Sequence, residues 1–268
     1  MTIPIEIALI PPGALATTFT EGRMFQMALA GILSDTSQVF YRGFYNQSWK
    51  QHSTAWLLDN GAWESETLGP RDLLDIARKY GATEIMAPDV INDPQATWEK
   101  TTEFLQTYKD STYPIWLNSR IAAIAHGNTI GQAMEFVGMA SGLKQIKTIA
   151  IGRAFSRKVG NPTARLELAL QIKKRHGNRF QIHLLGFSDE WPTELQHCAT
   201  YPGLIRSLDT IAPFSYAYHG YPIEAAAGRV SVPRPDNYFK LGLADFPTML
   251  VAENIQMLDK WARTPIER

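Results

Sequence analysis

The chain is short of most features that would assign it quickly to a class. Among its 268 residues there is one cysteine, Cys198, so an intrachain disulfide and a cysteine-rich zinc site are both excluded. No apolar run approaches the ~18 residues that a membrane span needs. The start, MTIPIEIALIPPG, lacks the basic opening and apolar core of a secretory signal, and a cytoplasmic protein without membrane attachment is expected. Charge of one sign is also missing: lysine plus arginine and aspartate plus glutamate number 26 each. A protein that holds nucleic acid mainly by neutralising phosphates is usually basic, so a large nucleic-acid footprint is disfavoured, although a local basic patch is not. No GxGxxG follows the first apolar run, which removes support for a dinucleotide fold. The six histidines form neither HxH nor HExxH. There is no internal repeat and no low-complexity linker.

What is present is a long march of apolar runs and helices. Hydrophobic residues make up 45% of the chain, enough for a sizeable core. Short β-rich runs occupy residues 5–10, 54–59, 84–89, 115–118, 148–152, 181–186 and 205–209. Most neighbours lie about 30 residues apart, the length of one βα unit. Between them Gly69-Pro70 opens a helix that Gly81 closes, Asp93-Pro94 opens another running to about Lys109, and Asn161-Pro162 opens a third ended by Gly177. Such alternation implies a parallel sheet, and seven or eight strands close most naturally into a (β/α)₈ TIM-type barrel. A single domain over residues 1–268 is expected, with residues 13–53 and 225–241 as irregular insertions. A doubly wound open sheet is the structural alternative.

In a barrel the chemistry sits where strands end. Those positions hold Asp59, Asp89, Asn118, the His126-Gly127 loop, Gly152, Gly186 and Asp209. One aspartate after a strand is an ordinary turn or cap residue. Three of them on different strands suggest carboxylates converging on one pocket, the arrangement of glycosidic chemistry. The competing use is a metal site built from His126, His219 and an aspartate, as in a metal-assisted barrel hydrolase. His183, inside a strand, reads as a core or barrel-lining residue.

Read in order, these strings resemble the tRNA-guanine transglycosylases. Leu58-Asp59-Asn60-Gly61-Ala62-Trp63-Glu64 resembles that family's D-S-G-G-F-Q turn, and Met86 through Pro94 its M-x-F-D-E-C-x-P segment. Ile124-Ala125-His126-Gly127-Asn128 is similar to I-V-Q-G-G, Ala150 through Phe155 to I-G-G-L-A-V, Leu184-Leu185-Gly186 to L-M-G-V-G, and Ser207 through Pro213 to F-D-C-V-L-P. The resemblance spans residues 54–215 and lacks the family's C-x-C-x-x-C zinc subdomain, so it points to the branch that inserts 7-deazaguanines such as preQ0 into DNA, with tRNA the less expected substrate. It implies exchange of guanine for a free 7-deazaguanine base without a cofactor or metal. Asp209 would be the nucleophile and Asp59 the general acid and base. Asp89, His126, Gly127, Gly152, Arg153 and Gly61 would bind the base, with Trp63, Phe155 and Tyr216 stacking on it. Arg157, Lys158, Arg229 and Arg234 would hold the nucleic-acid backbone, with a helper protein as a possible partner. A barrel that merely binds nucleic acid is the non-enzymatic alternative.

Overall fold

A computed structural model describes residues 4–21, 23–51, 55–61, 68–110, 119–187, 191–227 and 231–265, the side chains of residues 47–51 and 191 excepted. Eight strands form one parallel sheet: β1 Glu6–Leu9, β2 Phe25–Leu29, β3 Ala55–Asp59, β4 Glu84–Met86, β5 Arg120–Ile124, β6 Ile146–Gly152, β7 Gln181–Leu185 and β8 Ser207–Thr210. Each is hydrogen-bonded to its sequence neighbours from β2 to β8, and β8 pairs with β1 in the register Glu6–Ser207 to Leu9–Thr210. The strands β1 and β2 pack side by side without a ladder, so the barrel is nearly closed. The Arg23 guanidinium spans that seam, donating to the Ile7 carbonyl at 3.2 Å and pairing with Asp259 at 2.9 Å.

The helices are α1 Ala16–Thr20, α2 Ala30–Ser34, α3 Val39–Gln51, α4 Pro70–Tyr80, α5 Pro94–Asp110, α6 Ile130–Ser141, α7 Phe155–Val159, α8 Ala164–His176, α9 Trp191–Ala199, α10 Ala212–Tyr218 and α11 Thr248–Trp261. The fold is a single-domain (β/α)₈ TIM barrel, as the alternation of runs and helices implies. Helix α4 shows how local sequence sets the bounds. Pro70 at its first turn has no N–H to lose, and Gly81 ends it at φ +67°, a left-handed conformation that glycine adopts without a Cβ penalty.

Two expectations fail. Residues 13–53 are not an insertion: they contain β2, which is buried at all five positions, and the first three helices. Phe25-Gln26-Met27-Ala28-Leu29 lacks apolar–polar alternation, and its Gln26 is buried with its amide donating to the Thr20 carbonyl at 3.2 Å. The fifth strand is Arg120–Ile124; residues 115–118, including Asn118, lie outside the described residues. Residues 225–241 carry only one-turn 3-10 helices at Ile223–Ala226 and Tyr238–Lys240 among those described.

Strand alternation divides the core. Residues facing the barrel axis include Ala8, Met27, Leu57, Met86, Ala122 and Ala150, one buried cluster; the outward residues pack with the helices in a second. The axis is not wholly apolar. At its amino-terminal end Arg206 pairs with Glu84 at 2.7 Å and donates to Gln181 at 2.6 Å, while the Thr148 hydroxyl donates to Glu84.

Candidate functional site

At the carboxyl ends of the strands lies a cavity of about 830 Å³, within the ~300–1,000 Å³ range of small-molecule sites. Every strand or the turn following it contributes to its lining: Ile10, Leu29, Asp59, Asp89, Ile124, Gly152, Gly186 and Asp209. The apolar floor is Met27, Leu29, Ile124 and Leu185, all inward residues. Phe155, Tyr216 and Phe239 form apolar walls, and Arg153, Lys158 and Arg234 bring positive charge. Burial at the cavity edge pushes the Lys158 ammonium below its usual range.

The carboxylates are not equivalent. Asp89 has both oxygens engaged: Oδ1 accepts from the Asn60 amide at 2.9 Å, and Oδ2 lies 2.7 Å from His126 Nε2. Asn60 is itself fixed, donating also to the Ala87 carbonyl at 2.8 Å. A carboxylate facing Nε2 holds the proton there in the neutral ring, so Nδ1 becomes the basic nitrogen. Asp89 is therefore engaged at both oxygens, by Asn60 and by the His126 ring it orients.

Asp209 is arranged differently. Both of its hydrogen bonds among the described residues end on Oδ1, one from the Gly186 N–H at 3.0 Å and one from His183 Nε2 at 3.2 Å. Among the described residues its Oδ2 has no hydrogen-bond partner. Asp59 ends β3 in register with Leu29 and is half-buried in the cavity wall.

Of the other expected site residues, Gly152 lines the cavity, and a Cβ built on it meets nothing within 4 Å. Gly61 is required for another reason: it turns the chain after β3 at φ +78°. At Gly127, which also lines the cavity, a Cβ would come within 2.9 Å of the Ala133 nitrogen, so glycine there lets the loop approach α6. Arg157 is exposed on α7 and is not part of the lining. Trp63 and Arg229 lie outside the described residues. His219 does not join His126: its Nε2 faces the Pro233 carbonyl at 3.3 Å on an exposed surface. Among the described residues no three His, Cys, Asp or Glu side chains come together as a metal-holding group.

Sequence reasoning missed Asn60, Ser207 and the link from His183 to Asp209. The available signal was strand alternation, which puts His183 and Leu185 on one face of β7 and Ser207 and Asp209 on one face of β8.

No protein-family model matches the sequence, and no curated protein matches it. Solved structures similar to it include the YdjI aldolase from Escherichia coli K12, at 13% identity and TM-score 0.53, covering 97% of this chain and 89% of that one. A putative fructose-1,6-biphosphate aldolase from Coccidioides immitis matches at 14% identity and TM-score 0.50, covering 97% and 87%. An enolase protein from Sargasso Sea environmental sequencing matches at 10% identity and TM-score 0.45; 77% of this chain is covered, and it spans only 54% of that one. At these identities the likeness concerns the barrel fold.

Membership of the tRNA-guanine transglycosylases is overturned by these findings: no family model supports it, and the similar solved structures at TM-scores of 0.53 and 0.50 are named as aldolases. The physical reason lies in the strings themselves. Any barrel with short βα loops places small and acidic turn residues where its strands end, so D-x-G and I-G-x strings recur in barrel order without common descent. No helix among the described residues is long and apolar enough to cross a membrane.

Proposed function

We propose that this chain is a barrel hydrolase that acts on a small anionic substrate through carboxylate and histidine catalysis at the carboxyl-terminal mouth. The observation that carries the reading is the contrast, among the described residues, between the two buried aspartates: Asp89 engages both oxygens, with Asn60 and His126, whereas Asp209 is held by Oδ1 alone. A carboxylate fixed by one oxygen, with the other turned to no partner, suits nucleophilic attack on an electrophilic carbon such as an anomeric centre.

In the first step Asp209 Oδ2 forms an ester bond to that carbon. The bond to the leaving group breaks with its electron pair, and the leaving group takes a proton from Nδ1 of a His126 ring protonated on both nitrogens or from a protonated Asp59, the same group that takes a proton back from water in the second step. In the second step His126 Nδ1 or Asp59 removes a proton from water, the resulting hydroxide attacks the same carbon, and Asp209 departs as a carboxylate. Arg153, Lys158 and Arg234 favour a negatively charged substrate, and the apolar floor with Phe155 and Tyr216 favours a ring.

A metal-assisted form of the same hydrolysis would use the Asp89 oxygen and His126 nitrogen that lie 2.7 Å apart at the mouth, once the proton between them had left. A divalent ion there would draw on those two residues and would polarise the bond being broken or a bound water.

The test is a panel of 4-nitrophenyl glycosides and phosphates, run with and without chelator and added divalent ions, for the wild type and His126→Ala. Release of nitrophenol by the wild type, reduced about a hundredfold or more in the variant, is expected. Loss in chelator with recovery on adding metal assigns the metal-assisted form. A parallel arm follows labelled guanine into DNA and tRNA, with and without preQ0. Incorporation there, without hydrolysis, would replace the hydrolase reading.

A further inference from the structure

Asp209 is tied to the opposite end of the barrel by a line of polar side chains that the hydrolytic steps do not use. Arg206 opens it. A guanidinium has only donors, and its Nε lies 3.0 Å from Ser207 Oγ, so Ser207 accepts there. The single hydroxyl proton of Ser207 is then left for His183 Nδ1, 2.9 Å away. With Nδ1 accepting, the proton of the neutral His183 ring stands on Nε2, which faces Asp209 Oδ1 at 3.2 Å. Each link fixes the direction of the next. His183 and Ser207 are both 0% exposed, so bulk water offers neither of them another partner. The Phe25 ring packs against His183 with centroids 5.8 Å apart, and the Arg206 guanidinium lies 4.8 Å from the centre of the same ring.

A second device holds the same oxygen. The Gly186 N–H that donates to Asp209 Oδ1 belongs to a residue at φ +60°, whose carbonyl accepts from both terminal nitrogens of the fully buried Arg165 at 3.0 Å each. Two donors, one within β7 and one from the turn that ends it, with the partly buried Arg206 and the fully buried Arg165 behind them, select Oδ1 as the anchored oxygen.

We infer that His183 and Ser207 are positioning residues: they form a one-way donor chain from Arg206 that fixes which oxygen of Asp209 is presented to the cavity. The role in turnover rests on the hydrolase reading above; the direction of the chain does not.

The experiment is ¹⁵N-histidine NMR on the whole protein, wild type and Ser207→Ala, beside turnover of the 4-nitrophenyl panel by the wild type, Ser207→Ala, Ser207→Thr and Asp209→Ala. The wild-type His183 ring is expected to carry its proton on Nε2. In Ser207→Ala the Asp209 carboxylate keeps the proton on Nε2 but Nδ1 loses its donor and its ¹⁵N resonance moves downfield, kcat falls about tenfold to a hundredfold with KM little changed, and Ser207→Thr recovers much of it. A wild-type proton on Nδ1 would overturn the inference. So would a Ser207→Ala protein with an unaltered Nδ1 resonance. An Asp209→Ala enzyme that still turns over, or a panel that no protein hydrolyses, rejects the hydrolase reading, while the NMR result still decides the direction of the chain.

Discussion

Where the strands begin, Glu84, Arg206, Thr148, Gln181 and Ser207 close on one another inside the barrel; where they finish, Asp59, Asp89, His126 and Asp209 line an open cavity. Both ends place charge on the axis of the fold. At the beginning Arg206 and Glu84 meet each other, and although Arg206 Nη2 has no hydrogen-bond partner among the described residues, the pair does not line the cavity and holds the barrel together. At the mouth, partners are supplied for selected atoms only: both oxygens of Asp89, one oxygen of Asp209, one nitrogen of His126. Charge alone therefore does not mark a functional site in this barrel. Incomplete pairing beside a cavity does.

The sharpest test of the contrast is Asp209→Ala. Removing the half-anchored carboxylate should lower turnover by about a thousandfold or more while urea unfolding changes little. A large loss of stability with turnover intact would place Asp209 with the structural charges. The mirror experiment is Arg206→Leu at the other end. It strands the buried Glu84 carboxylate without its cation and should cost about 3–5 kcal/mol of unfolding free energy, read from the urea midpoint. A variant as stable as the wild type would show that the lower network is not structural.

A smaller effect is expected at Gly152. Its backbone does not require glycine, and a side chain there projects into free space at the cavity. Gly152→Val should leave the melting temperature unchanged and raise KM about tenfold by occupying substrate volume. An unchanged KM would mean that the substrate binds elsewhere.

The smallest concerns Glu6 in the lower layer. Burial raises its carboxyl above the usual glutamate value of 4.5, with the Arg206 charge opposing. An acid raised in the folded state binds its proton more tightly there than when unfolded, so stability falls as pH rises from about 4.5 through the raised value. Glu6→Gln should therefore melt higher than the wild type at neutral pH and lose that advantage below the window. An advantage independent of pH would show that the charge of Glu6 is not its cause.

Much of the barrel is legible in the chain because its signals are local. Pro70 and Gly81 bound α4, and acidic or small residues follow β3, β4, β6 and β7. The strand β2 is hidden because a short run buried at every position has no apolar–polar alternation. The site was legible as a set of positions, Asp59, Asp89, His126 and Asp209, but not as a division of roles. His183 shows why: inside a β-run it reads as lining, and only register with Ser207 on β8 makes it a donor to Asp209. The strings that suggested a transglycosylase failed for the complementary reason, being consequences of barrel geometry.

By itself the sequence determined the order of strands and helices and which acidic residues stand at the mouth, since these follow from neighbours a few residues apart. Only the tertiary structure decided which oxygen is free and which nitrogen is basic. Those properties depend on hydrogen bonds from Asn60 and His126 to Asp89, and from His183 and Gly186 to Asp209, between residues 23 to 37 positions apart that only the closing of the parallel barrel brings within 3.2 Å.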